Sequence, residues 1–140
     1  MKGIRLSAVF LWVLLSSVSA FSQSNDICCA WVNESYGSEN RPQKLILNYD
    51  GTYEVYNTVE SIDPIVRGNF LVVETWVDTD GFEWYKLKMM DFRGIRYKLA
   101  RVGREGSRLE FVCATDAFPD TVDRADPGYC RYDRASLVSP

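Results

Sequence analysis

Apolar and polar residues alternate along most of this chain, and turn residues break the alternation at short intervals. Leu45 to Tyr56 reads Leu-Ile-Leu-Asn-Tyr-Asp-Gly-Thr-Tyr-Glu-Val-Tyr, and Phe70 to Met90 repeats that logic around Thr79-Asp80-Gly81. An Asp-Gly pair between runs of period two marks antiparallel strands joined by a tight turn. The pattern predicts eight strands, roughly Cys28–Asn33, Lys44–Tyr49, Tyr53–Asn57, Val66–Glu74, Glu83–Asp91, Ile95–Val102, Arg108–Ala114 and Tyr129–Arg134. No window sustains a 3.6-residue period, so little helix is expected. Short, evenly spaced strands with turn signals imply an all-β barrel or sandwich.

Turn lengths predict the register. Tyr85, Leu87 and Met89 share one face of their strand, and Ile95, Tyr97 and Leu99 share one face of the next. A three-residue loop, Phe92-Arg93-Gly94, makes the two faces coincide, pairing Met89 with Tyr97 and Leu87 with Leu99. The turn Gly103-Arg104-Glu105 then sets Leu99 against Leu109 and Tyr97 against Phe111, with Cys113 on the same inner wall. A slip of one residue would turn these side chains toward water. At the first Asp-Gly, the apolar sets Leu45-Leu47-Tyr49 and Tyr53-Val55 demand an odd loop, so a bulged turn is expected there. Glu34–Pro42 and Thr115–Gly128 read as loops. The second carries Asp116, Asp120, Asp123 and Asp126, whose spacing does not fit a calcium loop and suits turns instead.

The N-terminus changes the setting of this domain. Lys2 and Arg5 precede an apolar run from Leu6 to Val18, and Val18-Ser19-Ala20 or Ala20-Phe21-Ser22 offers small residues for cleavage. Residues 1–22 therefore read as a signal peptide and 23–140 as the β domain, secreted or periplasmic. The apolar run falls short of the ~20 residues of a membrane span, so the chain is not expected to be membrane-spanning. Loss of Lys2 and Arg5 moves the formal net charge from −3 to −5. An acidic surface argues against nucleic acid as a partner.

Export gives meaning to Cys28, Cys29, Cys113 and Cys130. Of the three pairings that four cysteines allow, the one with a vicinal Cys28–Cys29 ring is disfavoured. The other two both clip the first strand to the last third of the chain, in a compartment where disulfides persist. The chain contains no histidine. That removes Ser-His-Asp and Cys-His catalysis, and adjacent cysteines lack the spacing of structural zinc. No metal, no cofactor and no catalytic residues are expected, and the protein is read as a non-enzyme.

Cys29-Ala30-Trp31 resembles the Gly-x-Trp opening of the lipocalins and the wider calycin superfamily. In that family the tryptophan closes the barrel floor beneath an arginine of the last strand, a role the resemblance gives here to Arg131 or Arg134. A guanidinium over an indole gains ~0.5–2 kcal/mol. The chain is more similar still to small bacterial lipocalin-like domain proteins, through Trp31-Val32-Asn33-Glu34, Tyr36-Gly37-Ser38, Arg41-Pro42, Asp50-Gly51-Thr52 and Trp84-Tyr85-Lys86. It departs from them in Cys29, which replaces the family glycine, and from ordinary lipocalins in its shorter length. The resemblance implies a single up-and-down antiparallel β-barrel of about eight strands.

Such a barrel encloses either packed side chains or one small ligand. The predicted inner wall of Tyr53, Tyr85, Leu87, Met89, Tyr97, Leu99 and Phe111 suits a small hydrophobic or amphipathic ligand, and equally a filled core. Glu83 and Arg101 continue the inner face at one end, where they would hold a ligand head group or pair as a rim ion pair. Lys86, Lys88, Arg96 and Lys98 are expected outside, with Lys88 across from Lys98. Trp76 and Trp84 beside those lysines would favour an interaction surface. Two readings follow: a small-ligand carrier, or a protein-interaction or inhibitor module with a filled core and an unknown protein partner.

Overall fold

The computed structural model describes residues 27–39, 41–103 and 105–135. The segment 1–22, expected to be a signal peptide, lies outside the described residues. Eight strands form one closed antiparallel barrel in chain order: β1 Ala30–Val32, β2 Lys44–Leu47, β3 Thr52–Tyr56, β4 Val66–Val77, β5 Glu83–Asp91, β6 Gly94–Val102, β7 Arg108–Ala114 and β8 Tyr129–Arg134. The up-and-down topology is the expected one, and closure removes the unpaired strand edges that would otherwise invite aggregation. Each connection falls alternately at one end. The 3-10 helix Glu34–Glu39, the loop 57–65, the turn Phe92-Arg93 and the loop 115–128 surround one end, here called the mouth.

The opposite end is sealed. Ile27 and Trp31 have no exposed surface, and Val102 and Leu109 each keep 1 %. Trp31 Nε1 donates to the Ile27 carbonyl at 3.0 Å, and the Arg134 guanidinium lies 5.5 Å from the Trp31 ring centre. Arg134, directly across the β1–β8 ladder from Trp31, is thus the arginine of the floor. Arg131 is exposed on the outside.

The first Asp-Gly turn is bulged. Asn48 and Thr52 close a three-residue loop in which Gly51 adopts φ +83°, and Leu47 pairs with Tyr53 and Leu45 with Val55. This is a turn with a left-handed glycine, which a side chain would strain. Tyr49, expected on the inner face, belongs to the loop and is 73 % exposed.

The β5–β6 register differs from expectation. The loop is two residues, Phe92-Arg93, and Asp91 pairs with Gly94. Met89 therefore faces Arg96 and Leu87 faces Lys98. The one-residue difference exchanges the faces of β6. Arg96, Lys98, Ala100 and Val102 point inward, whereas Tyr97, Leu99 and Arg101 point outward. On β7, Leu99 pairs with Val112 and Tyr97 with Ala114, so neither meets Leu109 or Phe111. Two observations explain the outcome. Asp91 is tied inward, where its carboxylate accepts the Tyr53 hydroxyl, the Arg93 backbone N–H and the Arg93 guanidinium. The outer face of β6 is also covered. Phe118, from the loop 115–128, meets Tyr97 edge-on at 5.0 Å, and outward Leu99 is only 3 % exposed.

The same exchange corrects the basic outer face. Lys86 and Lys88 are outside, but Arg96 and Lys98 are inside, and Lys88 stands across from Tyr97. The expected Cys-Cys clip is also absent: all four cysteines are free thiols. Cys28 donates to the Asn48 carbonyl near the sealed end, while Cys113 and Cys130 sit in the strands near the mouth. The barrel closes through the β1–β8 ladder instead.

Candidate functional site

The middle of the barrel is filled by its own side chains. Tyr53, Tyr85, Leu87, Met89 and Phe111 are at most 5 % exposed and belong to one buried cluster. Tyr53 packs closely because Gly68 lies beneath it. A Cβ at position 68 would come within 2.7 Å of the Tyr53 ring and 2.2 Å of the Met90 carbonyl oxygen.

Toward the mouth the lining changes character. Inward Lys98 pairs across the ladder with Leu87 on one side and Cys113 on the other. Its ammonium lies 4.2 Å from the centre of the Phe111 ring. The side chain is half-buried, and desolvation pulls its pKa below the ordinary lysine range. Cys113 and Cys130 oppose that shift, and the neighbouring cations Arg93 and Arg96 add to it. Among the described residues, Lys98 has neither a hydrogen bond nor an ion pair. A cation–π contact offsets part of the cost of desolvating such a charge, and an anion beside it would offset more.

Arg96, the next inward residue of β6, lies 3.9 Å from Asp91, and its Nη1 is buried without a hydrogen bond. Asp91 is committed elsewhere. Its carboxyl is held well below the ordinary range, chiefly by Arg93, and its side chain is 2 % exposed. Burial and Asp91 together push the Tyr53 phenol up. Burial raises the Cys130 thiol, against the pull of Lys98 and Arg41. Among the described residues the mouth thus carries cations and thiols, and its inward carboxylate, Asp91, is already used.

The expected head-group pair is not assembled. Glu83 accepts the Tyr85 hydroxyl at 2.8 Å, and Arg101 lies on the other face, 3.3 Å from Glu110 and over the rings of Phe82 and Trp84. Of the proposed lining, Tyr53, Tyr85, Leu87, Met89 and Phe111 share the interior, while Tyr97 and Leu99 line the outer wall. Sequence reasoning missed Lys98 and Arg96 as interior residues. The available signal was Asp91, whose parity with Met89 places a carboxylate inside and so calls for inward cations.

The outer wall has its own groove. Trp76 and Trp84 stack in parallel 5.8 Å apart, and with Lys86, Leu99 and Phe118 they border a space of about 440 Å³. Glu74 neutralises Lys86 at 3.0 Å. Glu110, buried on this side, accepts the Tyr129 hydroxyl and so anchors the end of the loop 115–128. Within that loop Asp123 accepts the Ala125 N–H and Asp126 the Gly128 N–H, as turn residues do. Compared with models of known families, with characterised proteins and with solved structures, the chain matches none.

Proposed function

We propose that this chain is an exported, lipocalin-like binding protein without catalytic activity, and that it holds a small amphipathic anion at the cationic mouth of its barrel. One observation carries the reading: inward, half-buried Lys98 has no anionic partner among the described residues. A carboxylate placed there would accept from Lys98 and from the buried Nη1 of Arg96. Charge-assisted hydrogen bonds of this kind contribute about 1.5–3 kcal/mol each. The filled interior favours a compact ligand, a carboxylate with a short apolar group, over a long chain threaded down the axis. The Arg134–Trp31 floor supports the lipocalin likeness.

The test is calorimetric titration with octanoate and, in parallel, octanol. Octanoate should bind, octanol should not, and Lys98→Met should weaken octanoate by at least about ten-fold, the equivalent of ~1.4 kcal/mol. Octanoate binding that survives the substitution, or is absent from the unmodified protein, would overturn the proposal. A second reading, a surface interaction module, draws support from the Trp76–Trp84 groove. It expects Lys98→Met to be without effect on binding and Trp76→Ala to abolish partner capture.

A further inference from the structure

A second concavity lies outside the barrel, where the 3-10 helix Glu34–Glu39 meets β8 and the loop 115–128. It has a volume of about 320 Å³, and its walls include Arg41, Arg124, Arg131, Tyr36 and a single carboxylate, Asp126. Three guanidinium groups around one hollow are unexpected on a chain of net charge −3. Like charges gathered this closely repel unless something neutralises them.

The pocket is rich in donors and poor in acceptors. Arg41 Nη1 donates to the Tyr129 carbonyl at 2.6 Å, and the group lies 5.5 Å from the Tyr36 ring centre, so its plane is held while other N–H groups remain. Arg124 approaches Glu110 at 3.6 Å but keeps 70 % of its side chain exposed. The Arg131 guanidinium has no hydrogen bond or ion pair among the described residues. Tyr36 is 7 % exposed, and its hydroxyl accepts the Arg131 backbone N–H at 2.7 Å. Among the described residues the phenolic proton has no acceptor. Asp126 is occupied by the Gly128 N–H, 2.7 Å from its Oδ1. The Tyr36 hydroxyl, Arg131 without a carboxylate and Arg124 with only a distant one lack the same thing, an oxyanion with several lone pairs.

We infer that this pocket binds a doubly charged tetrahedral oxyanion, the terminal group of a phosphate or sulfate ester. Arginine presents two parallel donors to such a group, and three arginines match its charge and its spread of oxygens better than they match a carboxylate. Lys98 is not among its walls, so a substitution at Lys98 leaves the donors of this pocket in place.

The measurement is calorimetric titration of the full chain with inorganic phosphate, inorganic sulfate and acetate at constant ionic strength. Phosphate or sulfate should bind at least ten-fold more tightly than acetate, and whichever binds better identifies the source of the group. The paired substitution Arg124→Gln and Arg131→Gln, both at exposed positions, should remove that binding while the melting temperature stays within a few degrees. Lys98→Met should leave it intact, so failure of this site and failure of the mouth are told apart. Equal binding of acetate and phosphate would overturn the inference, as would phosphate binding that persists in the double variant.

Discussion

Lys98 is the residue where chemistry and packing disagree most. This half-buried amine, desolvated beside Arg93 and Arg96 with only the thiols Cys113 and Cys130 pulling the other way, is held below the ordinary lysine pKa of about 10.4. The sign of the consequence is definite. Above the unfolded value the amine is neutral in both states and costs nothing. As pH falls below it, the unfolded chain takes up the proton first and the folded state loses stability. Below the folded pKa the loss is constant. Stability of the ligand-free protein should therefore rise as pH is raised toward 10, and Lys98→Met should be more stable at pH 7 and lack that rise. Urea unfolding at a series of pH values measures both. A flat profile in the unmodified protein would show that the amine is not disfavoured. A bound carboxylate should remove the same penalty, so octanoate would raise the melting temperature most where Lys98 is charged.

At the scale of elements, β6 and the loop 115–128 form a unit. The loop lays Phe118 against Tyr97 and beside the Trp76–Trp84 stack, giving this part of the wall two apolar faces. Phe118→Ala should uncover Tyr97 and Leu99 and cost about 1–2 kcal/mol, the value of a half-buried aromatic. Chemical denaturation would show it as an earlier midpoint, and an unchanged midpoint would mean the loop covers nothing. The same double coverage explains which elements could be read from the chain. All eight strands and the odd first turn were legible, because period-two alternation and Asp50-Gly51 are local signals. The β6 register was not, because parity arguments assume that only one face is dry. Tyr97 and Leu99 are apolar and outward, Lys98 is charged and inward, and only a loop twenty residues away resolves the inversion. The resemblance offered Trp31 either Arg131 or Arg134, and the β1–β8 ladder selects Arg134. Arg41, Arg124 and Arg131 could not be grouped from the sequence, because three distant segments bring them together.

At the scale of the whole molecule, the two cysteine pairs lie toward opposite ends of the barrel. Cys28 and Cys29 neighbour Asn48 and Arg134 at the sealed end, and Cys113 and Cys130 surround Lys98 at the mouth. A protease digest without reductant should contain no peptide linking position 28 or 29 to 113 or 130; such a peptide would mean the ends are joined covalently after all. Without that bond, closure rests on the pairing of Trp31 with Arg134 and Val32 with Asp133. Order of synthesis then enters the folding of this protein. The strand that emerges first from the ribosome is the partner of the strand that emerges last, and nearly the whole domain must be made before either is satisfied. Until then β1 offers an open hydrogen-bonding edge to anything nearby. A chain truncated before Tyr129 would keep that edge permanently, so the last strand acts as the signal that assembly is complete.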